Sequence, residues 1–464
     1  MPMPKSIFRA TGTLAASLTL AFSLLAVPSW ASASVLLADQ IGDSTVEELG
    51  FTVAQCPSIE AVHACLMDSE GTIYFQRDAQ SPAQIASITK IMTAVVALEN
   101  AEENTIVTVS EKAALVGEST AGLQQGDEMD FESALKALLV PSGNDAAIAI
   151  AETIGAQMIA RNPSLGSDPE TVFVNAMNQK AAELGLADTV YENPHGLDHE
   201  EYAGNLHSTA VDQAKVAAYA MKNNSIRDIV RGGNTTIIVN RGGSAVQIEL
   251  ETTDGLLDMY RYAIGIKTGS TNLAGPSFTG AANSGGIELY AVILDSTSTT
   301  QRFYDAQELF EWGFEHICEV SLANSPHMTT MTLNGQSQEV PILAYASLSD
   351  WTDKTVPVTL ENPQASYRVF DLFGNINQTI ELDDIHGAVQ AGQVVGRVTY
   401  RQHNEVLGTM NLIACESVAA PETLDSIGIW WTRLTAGITG AQTEADDVII
   451  ATMPIIKDNT ADAA

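Results

Sequence analysis

Residues 86–94 read Ala-Ser-Ile-Thr-Lys-Ile-Met-Thr-Ala and open a long apolar run. Apolar residues recur at the period of an α-helix, at positions 88, 91, 92, 95 and 96. Ser87 and Lys90 are three apart, so on a helix they share one face within hydrogen-bonding reach. Lys90 would lie in the first turn, where the positive end of the helix dipole lowers its pKa. The stretch therefore predicts a serine nucleophile beside an amine that acts as its base.

Two further polar motifs follow downstream. Ser142 and Asn144 lie in a short turn between two apolar segments, 131–140 and 146–154, that predict buried helices. Lys267 begins a Lys-Thr-Gly sequence at the edge of a predicted strand. Glycine there would let the backbone approach a ligand closely. Each motif alone is also typical of a helix start, a helix cap or a surface turn. Their order along the chain, Ser-x-x-Lys, Ser-x-Asn and Lys-Thr-Gly, indicates one constellation.

This set of motifs resembles that of the low-molecular-mass penicillin-binding proteins, the D-alanyl-D-alanine carboxypeptidases of peptidase family S11. The matching segments are residues 86–94, 138–147, 193–197 and 265–269. The resemblance covers roughly residues 50–415. The resemblance implies an α/β (α+β) transpeptidase domain of the penicillin-binding and serine β-lactamase type, followed by a smaller C-terminal all-β domain. The expected divisions are a signal peptide at 1–33, a catalytic domain at 34–323, a β-rich domain at 324–420 and a helix with a tail at 421–464.

The resemblance implies catalytic roles for four residues. Ser87 would attack the carbonyl of the penultimate D-alanine, form an acyl-enzyme and release the terminal D-alanine, with Lys90 as its base. The positive charge of Lys267 would further disfavour a proton on Lys90. Ser142 would relay a proton to the leaving amine, and Asn144 would hold the substrate amide. The resemblance implies neither a metal nor another cofactor.

The same resemblance implies a carboxylate-binding site around the second lysine. The substrate-binding residues are Lys267, Thr268, Gly269, Ser270 and Arg302. Lys267 and the Thr268 hydroxyl would receive the terminal carboxylate of the substrate. The backbone N–H groups of Ser87 and Ser270 would form the oxyanion hole. Arg302 resembles an arginine that supports the carboxylate site, and the alternative is an ordinary surface residue of a helix.

The implied substrates are peptidoglycan stem peptides, and β-lactams would acylate the same serine. A serine β-lactamase is one alternative, with Glu192 in the place of a deacylating loop glutamate, but the phrase around Glu192 resembles the carboxypeptidases. A D,D-endopeptidase or transpeptidase would share the acyl-enzyme and differ only in the acceptor. An alternative of another class is an inactive scaffold that binds the cell wall, and the complete motif set argues against it.

The first 33 residues predict an export signal. Lys5 and Arg9 precede an apolar core at 14–27, and small residues end at Ala33. An uncleaved membrane anchor is the alternative, but this core is short for a membrane span. We therefore expect an exported protein, in the cell wall or on the outer face of the cytoplasmic membrane. The formal net charge of −35 argues against a nucleic-acid partner.

The cysteines and two loop histidines lack the spacing of metal ligands. The cysteines are Cys56, Cys65, Cys318 and Cys415. They form either disulfides, whose pairing the sequence does not determine, or buried thiols. His195 and His207 have no second ligand at metal spacing, so we predict structural roles in their loops.

The C-terminal part predicts strands and then one helix. Residues 356–412 alternate apolar and polar, which predicts a small antiparallel domain that acts as a spacer or docking module. Five apolar residues then share one helical face: Ile427, Trp430, Trp431, Leu434 and Ile438. This face predicts peripheral membrane contact, and because Arg433 is the one basic residue of the helix, packing against the protein is the alternative. Residues 446–464 are predicted as a disordered tail, although 448–456 are apolar.

Overall fold

The structure is a computed structural model that describes residues 38–402, 405–440 and 442–451. The predicted export signal at 1–33 lies outside the described residues, as does the end of the predicted tail from residue 452. The helices are α1 (Lys90–Asn100), α2 (Glu111–Leu115), α3 (Phe131–Leu139), α4 (Asn144–Arg161), α5 (Pro169–Glu183), α6 (Ala210–Ala220), α7 (Asn224–Arg231), α8 (Leu256–Met259), α9 (Gln301–His316) and α10 (Thr423–Thr439).

The strands fall into two groups. The strands before residue 300 are β1 (Gln40–Ile41), β2 (Ser44–Thr45), β3 (His63–Asp68), β4 (Ile73–Arg77), β5 (Ile106–Thr108), β6 (Glu128–Asp130), β7 (Thr235–Arg241), β8 (Ser244–Leu250), β9 (Ala263–Gly269), β10 (Ser277–Ser284) and β11 (Ile287–Leu294). Those after it are β12 (Ile317–Ser321), β13 (Met328–Leu333), β14 (Gln336–Pro341), β15 (Ala344–Ser347), β16 (Thr355–Leu360), β17 (Ser366–Phe370), β18 (Asn377–Leu382), β19 (Val394–Gln402), β20 (Glu405–Ala414) and β21 (Val448–Ile449).

A seven-stranded antiparallel sheet forms the centre of the N-terminal part, in the order β2-β1-β4-β3-β11-β10-β9. Successive side chains of β3 point to opposite faces, so Leu66 packs under α9 while Cys65 and Met67 pack under the other helices. Because helices cover both faces, β3 and β11 read as nearly continuous apolar runs. The edge strand β9 carries the Lys-Thr-Gly sequence at its end.

Helix α4 is the central helix of the larger hydrophobic core. Its first eight residues, 144–151, are all buried, since it packs against α1, α3 and α5. Small residues along α4 let the neighbouring helices approach closely, and Gly155, further along the helix, is one of them. A Cβ atom added there would lie 2.0 Å from the carbonyl oxygen of Pro169 at the start of α5. The polar residues at the N-terminus of α4 are therefore held in a rigid setting.

The N-terminal segment of the described chain is tied to the edge of the central sheet. Strand β1 pairs with β4, and the buried Asp39 forms a bidentate ion pair with Arg77 at 2.7 and 2.9 Å. Arg77 also donates to the carbonyl oxygen of Ile59 at 2.8 Å. The segment that precedes β3 is thus part of the folded domain.

The C-terminal part is built of β-strands around a core of its own. A six-stranded antiparallel sheet has the order β18-β19-β20-β16-β15-β21, and two further pairs are β12-β17 and β13-β14. Strand β12 follows α9 directly, and Leu322 and Ala323 belong to the β-rich core. These contacts favour a division nearer Ile317 than the predicted 323, and we propose the boundary there.

The prediction of a disordered tail over 446–464 is wrong at its beginning. Val448–Ile449 form strand β21, which pairs with Ala344 and Tyr345 of β15. The apolar character of the segment therefore has a structural cause, since it completes a sheet edge. The four cysteines are free thiols, not disulfides.

Candidate active site

The nucleophile motif forms a sharp turn at the start of α1. Ala86 has a φ of +45°, in the left-handed region, and residues Ala86–Thr89 form one 3₁₀ turn before the α-helix begins at Lys90. Ser87 is half-buried, whereas Ala86 and Ile88 on either side are fully buried. The predicted helix thus begins later than expected, but residues i and i+3 also align in a 3₁₀ turn. A strained backbone that presents one hydroxyl is a frequent feature of functional sites.

The side chain of Lys90 is fully buried and meets three acceptors. Its Nζ lies 2.8 Å from the Ser87 Oγ, 2.7 Å from the Asn144 Oδ1 and 2.8 Å from the carbonyl oxygen of His195. Burial lowers the pKa of Lys90 well below its usual value, and the positive charge of Lys267 lowers it further. A neutral amine can donate to the amide and carbonyl oxygens and accept the proton of the serine hydroxyl.

Asn144 reaches Lys90 from the first turn of α4. Its Oδ1 accepts from Lys90, while its Nδ2 donates to the carbonyl oxygen of Gly117 at 3.1 Å. Both ends of the amide are therefore engaged within the protein. The adjacent Asp145 accepts from the backbone N–H groups of Ala121 and Leu123 and fixes the same turn.

Ser142 lies in the turn between α3 and α4. It has a φ of +65° and is 4% exposed. Within the described residues, its hydroxyl makes no hydrogen bond to another group, so it is available to a substrate. Thr253 joins this turn to the Lys-Thr-Gly motif at 267–269. Its N–H donates to the Val140 carbonyl, and its hydroxyl bonds to that of Thr268 at 2.7 Å.

The loop at 193–197 closes the site behind Lys90. The Asn193 side chain organises this loop, since its Oδ1 accepts from the Gly196 N–H at 2.6 Å and its Nδ2 donates to the Leu197 carbonyl at 2.8 Å. A Cβ atom added to Gly196 would lie 1.9 Å from the Ala86 carbonyl oxygen. Only glycine therefore allows the loop to touch the turn Ala86–Thr89, here called the nucleophile turn, and to bring the His195 carbonyl to Lys90.

The imidazole of His195 is a buried part of this loop. It packs edge-on against Tyr202, and its Nδ1 accepts from the Leu197 N–H at 3.1 Å. Burial lowers the pKa of His195 well below its usual value, so the ring is neutral. The His207 ring bonds to the Asn205 carbonyl oxygen. The sequence did not predict the contact of the His195 carbonyl with Lys90. Every residue has a main-chain carbonyl group, so the residue types do not indicate which one bonds to Lys90.

The end of β9 lies against the other side of the nucleophile turn. Lys267 and Thr268 are buried, and the Lys267 Nζ donates to the Thr268 carbonyl at 3.0 Å. A Cβ atom added to Gly269 would lie 2.7 Å from the carbonyl oxygen of Ile85, which explains the glycine. The next residue, Ser270, is exposed.

Arg302 reaches the same strand end from α9. Its guanidinium donates to the Gly269 carbonyl at 3.2 Å and to the Ser277 carbonyl at 3.4 Å, and it lies 4.8 Å from the centre of the Phe303 ring. Arg302 is 8% exposed, so the alternative of an ordinary surface residue is wrong. Burial lowers the pKa of Arg302 to about 10, and burial together with Arg302 lowers the pKa of Lys267 to about 7.

Gly196→Ala tests whether the contact between loop and turn matters for reactivity. We expect acylation of Ser87 by a fluorescent penicillin to slow by at least about tenfold, because the new Cβ must displace the Ala86 carbonyl. Gly185→Ala is the matched control: Gly185 also has a positive φ, of 69°, but no atom lies within 4 Å of its added Cβ. Equal acylation rates in the two variants would contradict this prediction.

Comparisons with known proteins identify the family to which the chain is similar. The family model for D-alanyl-D-alanine carboxypeptidases, peptidase family S11, matches residues 50–298. The carboxypeptidase DacF of Bacillus subtilis is 28% identical over 77% of this chain and 86% of its own length. A D-alanyl-D-alanine carboxypeptidase of Streptomyces is 33% identical over 57% of this chain and 90% of its own length.

Solved structures support the fold. The crystal structure of the Streptomyces K15 DD-transpeptidase is 32% identical, covers 56% of this chain and 98% of its own, and has a TM-score of 0.51. The carboxypeptidase DacD of Francisella tularensis, at 22% identity, covers 78% of this chain and 95% of its own with a TM-score of 0.52. Both the predicted resemblance and the predicted fold class are confirmed. Because the family model matches more than half of the chain, the protein belongs to the D-alanyl-D-alanine carboxypeptidase family S11.

Proposed function

We propose that the protein is a serine-type D-alanyl-D-alanine carboxypeptidase that trims peptidoglycan stem peptides, with Ser87 as the nucleophile. One observation carries the proposal: a fully buried Lys90 whose Nζ lies 2.8 Å from the Ser87 hydroxyl. An amine whose pKa is held well below its usual value can act as a base for a hydroxyl that does not ionise by itself. β-Lactams would acylate the same oxygen and act as inhibitors.

The proposed reaction begins with attack of the Ser87 Oγ on the carbonyl carbon of the penultimate D-alanine. The hydroxyl proton passes to Lys90, and the backbone N–H groups of Ser87 and Ser270 receive the developing oxyanion. When the tetrahedral intermediate collapses, the carbonyl re-forms and the C–N bond breaks. Ser142 relays the proton from Lys90 to the departing amine, so Lys90 is neutral again for the next step. Water then hydrolyses the ester and regenerates the free hydroxyl.

The role that we propose for Asn144 differs from the one predicted from the sequence, which was to hold the substrate amide. Its Oδ1 and Nδ2 are both engaged, with Lys90 and with the Gly117 carbonyl. Holding a substrate amide would require at least one of these bonds to break. In our proposal Asn144 first orients the Lys90 amine, and a substrate that displaces Lys90 would gain access to it.

The substrate carboxylate would bind at the end of β9. Lys267, the Thr268 hydroxyl and Arg302 supply charge and a hydrogen bond there, in a setting with little competing water. Lys267 and Arg302 are both buried, and among the described residues neither has a carboxylate partner within 4 Å, so together they suit one carboxylate ligand. This arrangement favours substrates with a free C-terminus, as in D-alanine release.

The β-lactamase alternative loses support from the position of Glu192. Its carboxylate accepts from the Asn205 N–H at 2.6 Å and packs against Gly204, where an added Cβ would lie 1.9 Å from its Oε2. Glu192 thus fixes its own loop and is not free to activate a water molecule. We therefore expect a long-lived penicilloyl adduct.

Replacement of the nucleophile tests the proposed function. We expect Ser87→Ala to reduce D-alanine release from a peptide ending in D-Ala-D-Ala by at least about 10³-fold, because no other hydroxyl in the described residues bonds to the Lys90 amine. Chromatographic quantification of free D-alanine gives the rate. Ser81→Ala serves as the control, since the Ser81 hydroxyl bonds to Asp78 away from Lys90. Full D-alanine release by Ser87→Ala would exclude the assignment.

We also propose that residues 1–33 direct export and that α10 rests on the outer face of the cytoplasmic membrane. No helix within the described ranges is long and apolar enough to cross a bilayer. Large apolar side chains on α10 are exposed: Leu424, Ile427, Trp430, Trp431, Leu434 and Ile438. Arg433 points the other way and donates to the Ser349 carbonyl of the β-rich region at 2.6 Å. The proposed contact is therefore apolar and does not depend on anionic lipid.

Vesicle sedimentation tests this contact. We expect the protein to pellet with vesicles of zwitterionic phosphatidylcholine at least as well as with vesicles that contain anionic lipid, since the protein is strongly acidic. Trp430→Glu should reduce the bound fraction at least about fivefold. Leu115→Glu, at a residue that is 74% exposed on α2, is the matched control and should bind like the wild type. Unchanged binding by Trp430→Glu would refute the contact.

A further inference from the structure

Asp254 is a buried carboxylate next to the carboxylate-binding lysine, and the proposed reaction does not use it. It lies directly before α8 and is 4% exposed. Its Oδ1 accepts from the Leu256 N–H at 2.9 Å. Its Oδ2 is buried and has no hydrogen-bond partner within the described residues. Burying an unsatisfied carboxylate is costly, so an electrostatic role is the natural explanation for its presence.

Asp254 follows Thr253, whose hydroxyl lies 2.7 Å from that of Thr268, the residue after Lys267, so the two segments are held side by side. The charges of Lys267 and Arg302 both act on the ionisation of Asp254. Lys267 is 1% exposed and donates to the Thr268 carbonyl, while the Arg302 Nε is buried without a partner in the described part of the chain. None of these three groups pairs with another within 4 Å in that part. Two cations and one carboxylate leave a net charge of about +1, which one substrate carboxylate would neutralise.

The other charged groups near β9 do not substitute for Asp254. Lys90 on α1 adds positive charge from the far side and repels Lys267. On α7, Arg227 pairs with Glu288, and the remaining charged residues of α7 and α8 are exposed. Strand β10, on the other side of β9, has no charged residue. Within the described ranges, Asp254 is thus the one buried carboxylate that acts on Lys267.

We propose that Asp254 is a positioning residue that keeps Lys267 charged, so that the site selects substrates by their terminal carboxylate. The inference rests on the proposed function, in which Lys267 receives that carboxylate. In the proposed complex, Asp254 touches neither the reacting carbonyl nor Ser87. It sets substrate preference and the pH range of binding, not the chemistry of acylation.

The direction of the effect follows from the titration of the two groups. Burial and Arg302 lower the pKa of Lys267 to about 7, and Asp254 opposes them. Burial raises the pKa of Asp254 to about 6, and Lys267 opposes this. Lys267 binds a carboxylate in its protonated form, so binding weakens as the pH rises through the pKa of Lys267. Without the charge of Asp254, this loss moves to lower pH.

Asp254→Asn tests the proposal with two versions of one peptide, ending in D-Ala-D-Ala with a free carboxylate or with a C-terminal amide. At pH 7.5, set roughly half a unit above the pKa of Lys267, the preference for the free acid in kcat/KM should fall about tenfold. That change corresponds to one pKa unit. The loss should lie mainly in KM, and the alkaline fall in kcat/KM for the acid should begin at lower pH. Asp254→Glu, which keeps the charge, should restore much of the preference.

Asp127→Asn is the matched control, because its side chain is also buried but pairs with Arg241, away from Lys267. It should leave the preference for the acid unchanged. If Asp254→Asn does not fold, the wild type alone decides the question: an alkaline fall that is the same for acid and amide would overturn the role of Lys267 and Asp254. D-alanine release that depends on Ser87, with an unchanged preference in Asp254→Asn, would overturn this inference and leave the proposed function intact. Release that does not depend on Ser87 would instead exclude the proposed function.

Discussion

The burial of one amine, that of Lys90, is the constraint on which the active site depends. A charged ammonium in this position would be expensive, and neighbouring Lys267 makes the cost greater. Three oxygen atoms from three separate segments surround the amine: the Ser87 hydroxyl in the turn 86–89, the Asn144 amide at the start of α4 and the His195 carbonyl in the loop at 193–197. Each segment is positioned to reach the same nitrogen atom. In our proposal, an amine held in this way is the base, already in position before the substrate arrives.

Close packing of backbones brings these segments together. Gly196 and Gly269 lie on opposite sides of the nucleophile turn, and a side chain at either position would collide with a main-chain oxygen of residues 85–86. The turn itself is strained at Ala86, and the buried residues around it hold that conformation. The central sheet and the buried start of α4 provide the rigid support. Catalytic geometry here is therefore a property of the packed core as much as of the polar residues.

Local spacing in the sequence predicts part of the site well. The contact between Ser87 and Lys90 depends only on their spacing of three residues within one turn. The polar turn between α3 and α4 is predicted because an apolar segment lies on either side of it. Contacts that join distant segments through the main chain could not be predicted in this way, as the His195 carbonyl shows. The buried Asp254 was missed because its significance depends on Lys267 and Arg302, which only the fold brings near. The pairing of Val448–Ile449 with β15 was missed because a two-residue strand has no detectable period.

In our proposal the hydroxyl of Ser87 forms the acyl-enzyme. Peptide mass spectrometry of the protein after incubation with a penicillin identifies the acylated residue. We expect one penicilloyl group per chain, on the peptide that contains Ser87, and we expect it to persist after excess penicillin is removed. An adduct on another residue, or no covalent adduct at all, would exclude Ser87 as the nucleophile.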